Sequence, residues 1–406
     1  MSFLYSISLS LFQFALHLAA PFNLKAKQML QGQKLVWKRI AEADKEGEYL
    51  WVHCASLGEF EQGRPVIEKY KAKNPKVKVL LTFFSPSGYE IRKNYDGADI
   101  IIYLPFDSAA NASRLLSELN ITTAVFVKYE FWYHYLTALK GKNIPTYIVS
   151  AIFREKQTFF KWYGGWYRKM LSCFNTIFVQ NEASKTLLAT IGVEHVQVAG
   201  DTRFDRVADM VKLAKDLPEI AQFKAGKRML VAGSTWPKDE QLLIPFINDD
   251  QTDTKYIIAA HEVHESHVAS ICSQLSVSYQ RYTQMDRATL ADVKVLVIDT
   301  IGVLSSAYRY GEMAYIGGGF GVGIHNTLEA ATYGLPVVFG PNYLKFQEAV
   351  DLIAEHAAFS IENQAELNAQ LSTFLTDADA LSLSSQAAAS YVKDNTGATD
   401  LILSLI

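Results

Sequence analysis

The run YIGGGFGVGIHNTLE, residues 315–329, decides the fold class of this 406-residue chain. The apolar run Met313 to Ile316 predicts a strand that enters a glycine-rich loop, and a helix is predicted to follow over Asn326 to Tyr333. Glycine permits positive φ and close approach of a ligand, and a helix start offers unpaired N–H groups to a phosphate. The run therefore predicts a nucleotide-phosphate site, with Glu329 placed to accept from ribose hydroxyls. A flexible turn is the alternative.

Strand-like and helix-like runs alternate on both sides of this loop, which is typical of a doubly wound parallel sheet. The pattern starts near Tyr49, breaks over 207–226 and restarts, so we predict an α/β protein with two Rossmann-like domains. These cover 25–206 and 227–406, are joined by a hinge region with one short helix, and face a cleft that holds the ligand. The last helix could pack back on the N-terminal domain. The predicted strands are Leu50–Cys54, Val77–Phe83, Ile100–Leu104, Thr122–Val127, Thr146–Val149, Thr176–Val179, Val196–Val198, Arg228–Ala232, Tyr256–Ala260, Lys294–Ile298, Met313–Ile316 and Pro336–Phe339.

Composition excludes several classes of protein. A hydrophobic content of 49% and a charged content of 20% are those of an ordinary folded protein. The net charge of -3 argues against a general nucleic-acid binder, so no nucleic-acid partner is expected. The three cysteines, Cys54, Cys173 and Cys272, have no metal-ligand or disulfide spacing, which fits a reducing cytosol.

Residues 1–24 carry no charge and are mostly apolar, and the stretch is barely long enough to span a bilayer. No Lys or Arg precedes them, unlike in a signal peptide, and basic residues follow from Lys25 to Arg39. This asymmetry predicts an N-terminal membrane anchor with the body of the protein in the cytoplasm. A buried first helix is the alternative, and a helix lying in the interface fits both interpretations. The basic and aromatic stretch 153–169 predicts a further membrane contact or an amphipathic core helix.

Three side chains in the N-terminal half are candidates for catalysis. Glu59 follows the first strand, where a carboxylate can take a proton from an attacking hydroxyl; the alternative is a glutamate that meets the helix dipole. Glu130 follows the fourth strand in an aromatic-rich turn and is a second carboxylate of the cleft, or a helix cap. Arg203 could stabilise developing negative charge, or form a structural pair with Asp201 or Asp205.

The C-terminal half contains further candidates for binding an anion. Ser234 and Thr235 follow its first strand and precede a helix marked by a proline, so they form a candidate anion turn together with Gly318 and Gly319. A His-Glu-x-x-His zinc motif is excluded near Glu262 because the histidines that follow have the wrong spacing. No metal is therefore expected.

Taken in order, these pieces resemble the Kdo transferase family of Gram-negative bacteria over nearly the whole chain. Those enzymes move Kdo, an acidic keto sugar, from CMP-Kdo onto the lipid A precursor, lipid IVA. The motifs are specific together and not singly. They are Ala55–Glu59, Tyr103–Asp107, Glu130–Trp132, Gly200–Asp205, Asp299–Gly302 and His325–Ala330.

The resemblance implies a GT-B fold, no cofactor or metal, and an inverting transfer at the cytoplasmic side of the inner membrane, with its phospholipids as a partner. It implies that Glu59 is the general base, and that Glu130 and Arg203 support the transition state, the latter at a position that is usually lysine. It also implies CMP contacts at His261, Glu262, Ile301, Gly302, Val303, Asn326, Thr327, Leu328 and Glu329.

One departure from the family concerns the donor side. Better-known members have a Pro-Arg-His sequence where this chain has Ala260, His261 and Glu262, so an arginine that could meet the CMP phosphate is missing. Two other functions stay open. The first is another GT-B sugar-nucleotide transferase or epimerase that uses UDP, and the second is a non-catalytic, membrane-attached nucleotide-binding module.

Overall fold

The computed structural model describes residues 2–406, which form two compact units. The N-terminal unit contains the chain up to Arg206 together with Thr396–Ile406, and the C-terminal unit is Val207–Asn395. Each unit holds a seven-stranded sheet in which all neighbouring strands are parallel. The predicted α/β class is confirmed.

The sheet of the N-terminal unit is buried on both faces, which explains why its strands read as continuous apolar runs. Its strands are β1 Glu48–Cys54, β2 Lys78–Phe83, β3 Ile100–Tyr103, β4 Asn120–Val127, β5 Thr146–Ala151, β6 Thr176–Val179 and β7 Val196–Val198, in the spatial order 3-2-1-4-5-6-7. Serine or asparagine caps several of its helices by accepting from the first turn. The helices are α1 Ser2–Ala19, α2 Leu24–Ala41, α3 Leu57–Lys73, α4 Pro86–Arg92, α5 Ala109–Glu118, α6 Tyr133–Gly141, α7 Gly165–Leu171, α8 Glu182–Ala189 and α9 Thr202–Leu213, whose end enters the C-terminal unit.

The sheet of the C-terminal unit has the order 10-11-9-8-12-13-14. Its strands are β8 Met229–Thr235, β9 Lys255–Ala260, β10 Tyr279–Arg281, β11 Val295–Ile298, β12 Met313–Ile316, β13 Val337–Phe339 and β14 Ala358–Ser360. The sequence did not predict β10 and β14, because three residues at a sheet edge are too few to show a period. The helices are α10 Pro218–Lys224, α11 Pro237–Asp249, α12 Glu265–Gln274, α13 Leu304–Ala307, α14 Leu328–Ala331, α15 Gln347–Ala354, α16 Gln364–Thr376 and α17 Ala378–Asp394.

The helix predicted over Asn326 to Tyr333 is wrong in length, since only the single turn α14 forms. The side chain of Asn326 accepts a hydrogen bond of 3.1 Å from the backbone N–H of Leu328, which holds the preceding residues in a turn. Gly334, at φ +73°, follows directly after the predicted end. A helix this short has only a small dipole to offer a phosphate.

The last helix, α18 Ala398–Leu403, belongs to the N-terminal unit. The carboxylate of Asp205 accepts hydrogen bonds of 2.6 Å each from the backbone N–H groups of Gly397 and Thr399 and from the hydroxyl of Thr399. Asp205 thus satisfies donors at the start of α18 that would otherwise lack partners. It fixes the chain terminus to its own unit.

Helix α1 lies on the surface of the N-terminal unit, and none of its residues is buried. The hydroxyl of Tyr5 donates to Asp107 at 2.6 Å, and the ring of Phe12 stacks on Phe84 with centroids 6.0 Å apart. The interpretation of α1 as a buried first helix is therefore wrong. Within residues 2–406 it is the one helix long and apolar enough to cross a membrane. Its exposed apolar side chains are Phe3, Leu4, Ile7, Leu11, Phe12, Phe14 and Leu18.

Candidate active site

Glu59 lies in the first turn of α3, where it accepts from the backbone N–H of Ala55 at 2.5 Å. This is the interaction expected of a glutamate at a helix start, so Glu59 does have the helix-terminal role that the sequence offered as the alternative. Burial and the nearby charge of Glu130 nevertheless raise the pKa of Glu59 to about 7. A carboxyl with this pKa can accept and release a proton near neutral pH, as a general base must.

Glu130 is held by two aromatic rings and does not cap a helix. Its Oε2 accepts from Nε1 of Trp132 at 2.7 Å and lies 3.0 Å from Nε2 of His53. The Nδ1 atom of His53 is 2.8 Å from the hydroxyl of Thr82, which already accepts from Nε1 of Trp51 at 2.9 Å. All partners are satisfied if Thr82 donates to Nδ1 and the His53 Nε2–H donates to Glu130.

Lys128 and His53 belong to this site, although neither of them was assigned a role from the sequence. Lys128 adopts φ +68° at the end of β4, a conformation uncommon for a residue with a side chain. Its positive charge lowers the pKa of Glu59, opposing the effects of burial and of Glu130. His53 is the buried last-but-one residue of β1. A polar residue within that apolar run is the feature of the sequence that could have indicated a functional role.

Arg203 forms the structural pair that the sequence offered as the alternative. Its Nε and one terminal nitrogen contact Oδ2 of Asp201 at 2.9 and 2.8 Å. The same buried carboxylate accepts from the side-chain amides of Gln62 at 3.0 Å and Gln180 at 3.1 Å. The Arg203 side chain is still 27% exposed, so it is a fixed cation that is partly open to solvent.

In the C-terminal unit, two of the four predicted anion donors are occupied by the protein's own carboxylates. The backbone N–H of Gly318 donates to Asp239 at 2.9 Å, and the buried hydroxyl of Thr235 donates to Glu240 at 2.8 Å. The prediction that Gly318 and Thr235 are open to a phosphate is therefore wrong. Of the other two, Gly319 is buried and Ser234 adopts φ +54° at a half-buried position.

The glycines of the 317–323 loop allow close packing of backbone on backbone. A Cβ at Gly317 would lie 2.2 Å from the carbonyl oxygen of Ser234, and one at Gly319 would lie 2.5 Å from the nitrogen of Gly340. No side chain fits at either position without displacing main chain. The close approach that the sequence assigned to a ligand is made here by the neighbouring strand-end loops.

A stack of three rings follows the strand ends β8, β9 and β12. Trp236 stacks on His261 with ring centroids 4.7 Å apart, and His261 stacks on His325 at 4.2 Å. Nε1 of Trp236 donates to Nε2 of His325 at 2.9 Å. Burial and the neighbouring His261 lower the pKa of His325 to about 4, so His325 is neutral at pH 7. From the sequence, His325 was part of the motif His325–Ala330 and Trp236 followed the candidate anion turn, but neither residue was assigned a role.

The remaining predicted CMP contacts differ in accessibility. His261, Glu262, Ile301, Gly302 and Asn326 are exposed, and Val303 and Glu329 are half-buried. Asn326 donates to Glu329 at 3.1 Å. Thr327 and Leu328 are fully buried, and the CMP contacts predicted at both residues stay predictions. Within residues 2–406, no three His, Cys, Asp or Glu side chains are grouped to hold a metal ion.

Residues 31–206 match the family model described as 3-Deoxy-D-manno-octulosonic-acid transferase (kdotransferase). A 3-deoxy-D-manno-octulosonic acid transferase of Rickettsia conorii is 26% identical, and the match covers 93% of this chain and 82% of the relative. The enzyme of the same name from Aquifex aeolicus is 25% identical, and the match covers 80% of this chain and 86% of the relative. A bifunctional glycosyltransferase/methyltransferase of Fusobacterium nucleatum is 23% identical over 79% of this chain and about half, 52%, of its own length.

Solved structures show the same architecture. UDP-GlcNAc 2-epimerase from Neisseria meningitidis aligns with a TM-score of 0.61 at 16% identity, covering 88% of this chain and 98% of its own. MurG from Acinetobacter baumannii aligns with a TM-score of 0.55 at 15% identity, covering 89% and 99%. The protein therefore has the GT-B fold. Its similarity to the transferases described above identifies it as a glycosyltransferase. Within that class, it is related to the Kdo transferases over most of its length.

Proposed function

We propose that the protein transfers Kdo from CMP-Kdo to a sugar hydroxyl of the lipid A precursor, lipid IVA, in lipopolysaccharide biosynthesis. The observation that carries this proposal is the half-buried pair of Glu59 and Glu130, in which the pKa of Glu59 rises to about 7. A sugar hydroxyl is a poor nucleophile and needs such a base. The similarity to Kdo transferases supplies the substrate class.

In the proposed step, the ionised Glu59 carboxylate takes the proton of the acceptor hydroxyl while its oxygen bonds to the anomeric carbon of Kdo. The bond from that carbon to the CMP phosphate breaks, and CMP leaves with the electron pair. Because this is a direct displacement, the configuration at the anomeric carbon inverts. The N–H of Ala55 orients the carboxylate, and Glu130 raises its basicity. The fixed cation Arg203 would stabilise the charge that develops on the phosphate.

On the donor side, we propose that CMP contacts the exposed residues of the C-terminal unit. These are His261 and Glu262 after β9, the turn 301–303, and Asn326 with Glu329. Thr327 and Leu328 would contribute only backbone groups. CMP is already a good leaving group, so no cofactor or metal is proposed, and activity should persist after treatment with EDTA. Loss of activity in EDTA that magnesium restores would contradict this.

For the membrane, we propose that α1 lies in the plane of the cytoplasmic face of the inner membrane. Tyr5 and Ser6 hold it to the N-terminal unit through Asp107 and His134, at 2.6 and 3.0 Å. A helix docked in this way presents its exposed apolar face to lipid, and basic residues of α2 can meet acidic head groups. Trp162, which is 93% exposed, fits a second contact from the 153–169 stretch.

The experiment that tests the function is incubation of the full chain with CMP-Kdo and lipid IVA, followed by mass spectrometry. The expected product is lipid IVA increased in mass by Kdo, with release of CMP. UDP-sugar turnover in place of CMP-Kdo turnover would favour the alternative GT-B enzyme. Binding of CMP without any product would favour the non-catalytic module.

A further inference from the structure

A cavity of about 380 Å³ in the C-terminal unit has no role in the function described above. It lies between the first turn of α11 and the glycine loop, and its walls are mostly apolar. Trp236, Phe320 and Val322 form these walls, and Lys238 is the positively charged residue that lines the cavity. The volume falls within the range of small-molecule sites and is sufficient for one sugar ring.

The cavity is held in shape by the buried carboxylate of Asp239. It accepts from the backbone N–H groups of Trp236 and Gly318 at 2.9 Å each, and from the hydroxyl of Tyr315 at 2.8 Å. The bond from Trp236 is local to the start of α11, whereas those from Tyr315 and Gly318 tie α11 to β12 and to the loop on the opposite wall. Because these bonds hold Asp239 in place, its role in the cavity is structural.

Trp236 offers the cavity an apolar surface only. Its ring stacks on His261, and its Nε1–H is used by His325. The indole therefore cannot donate to a ligand, but the remaining ring surface can pack on the C–H groups of a sugar. The same stack joins the cavity to His261 and Asn326, the residues proposed to contact the nucleotide.

Lys238 is exposed, and its ammonium forms no hydrogen bond or ion pair with any residue of the described chain, 2–406. It lies in the first turn of α11, the end of a helix at which a cation is electrostatically disfavoured. An anion bound beside it would remove that cost. The cavity thus combines an aromatic surface with one uncompensated positive charge.

We propose that this cavity binds the acidic sugar of the donor, with the ring against Trp236 and Phe320 and the carboxylate at Lys238. The inference rests on the proposed function, because it takes the donor to be a CMP-linked sugar acid. A neutral sugar would leave the ammonium without a partner. Lys238 would then be the residue that distinguishes sugar acids from neutral sugars.

The test is calorimetry on the full chain with CMP and, separately, with CMP-Kdo in the absence of acceptor. Lys238→Gln should weaken CMP-Kdo binding about fivefold, as expected for a solvent-accessible ion pair, and leave CMP binding unchanged. Lys238→Arg should retain most of the affinity for CMP-Kdo. Lys345→Gln removes an exposed lysine that does not line the cavity, and it should change neither affinity.

Each other outcome contradicts a specific statement. Equal weakening of CMP and CMP-Kdo by Lys238→Gln would place the phosphate at Lys238 and overturn the sugar-acid site. Unchanged binding of both ligands would also overturn it while leaving the proposed function intact. If the wild-type protein binds neither CMP nor CMP-Kdo, the proposed donor is wrong, and the sugar-acid site falls with it.

Discussion

The carboxylates of the two units occupy similar places in the chain but differ in their hydrogen bonds. Glu59 and Asp239 each lie in the first turn of the helix that follows the first strand of their sheet. Asp239 is buried and accepts from three donors, which use both of its oxygens. Glu59 accepts from Ala55 and lies within the field of another carboxylate, Glu130. Three donors hold Asp239 in a structural role, whereas Glu59, whose pKa is raised to about 7, is the carboxyl that we propose as the general base.

The largest expected effect is on the turnover of Glu59→Gln. Removing a general base typically lowers the rate about 10²–10⁴-fold, while CMP affinity should stay nearly unchanged because Glu59 is not proposed to contact the nucleotide. The measurement is kcat at pH 8 with CMP-Kdo and lipid IVA, together with calorimetry for CMP. Glu68→Gln, an exposed change on the same helix, is the control. Retention of more than about a tenth of wild-type turnover would refute the assignment.

The second expected effect is on the free energy of unfolding, which one substitution in the C-terminal unit should lower and one in the N-terminal unit should raise. Asp239→Ala leaves three donors without an acceptor, two of them buried, so it should lower the free energy of unfolding by about 3 kcal/mol. Glu59→Gln should raise it at pH 8 by on the order of 2 kcal/mol, because burial opposes ionisation of Glu59 in the folded chain. Urea unfolding at pH 8 measures both, with the exposed change Asp253→Ala as control.

The sign for Glu59 follows from its pKa. Burial and Glu130 raise the pKa in the fold from 4.5 to about 7, so the folded chain binds more protons than the unfolded chain between these values. Stability therefore falls as pH rises from about 4.5 to 7, and Gln, which cannot ionise, removes that loss. Two variants that both destabilise at pH 8 would contradict the contrast between Glu59 and Asp239.

The third effect is on CMP binding. Glu329→Ala should weaken it by about 1.5–3 kcal/mol if this carboxylate accepts from a ribose hydroxyl, since a hydrogen bond to a charged group would be lost. Calorimetry checks this, with Glu355→Ala on the exposed surface of the same unit as the control. Unchanged affinity would mean that Glu329 only supports the turn through its bond with Asn326.

The sequence predicted the strands of both sheets closely, because buried parallel strands are unbroken apolar runs. It failed for β10 and β14 and for the helix after Asn326, where local hydrogen bonds and short lengths override the pattern. At the site, residue types and strand ends indicated Glu59 and Glu130. Two of the three donors to Asp239, Tyr315 and Gly318, come from a distant part of the chain, so the sequence could not reveal that Gly318 was already in use.

The smallest expected effect comes from changing the neighbour of Glu59 while the proposed base stays in place. Glu130→Gln removes the negative charge that raises the pKa of Glu59, so that pKa should fall. The base form exists above its pKa, and activity of the wild type should decline as pH drops through about 7. In Glu130→Gln the decline should move to lower pH by about one unit, which corresponds to about 1.4 kcal/mol.

The measurement is kcat/KM against pH from 5 to 9 in both proteins. A lower plateau with an unmoved midpoint would show that Glu130 acts only by holding His53 and Trp132. A shift to higher pH would show that the two carboxylates do not repel each other, and the pKa of Glu59 would then need another cause.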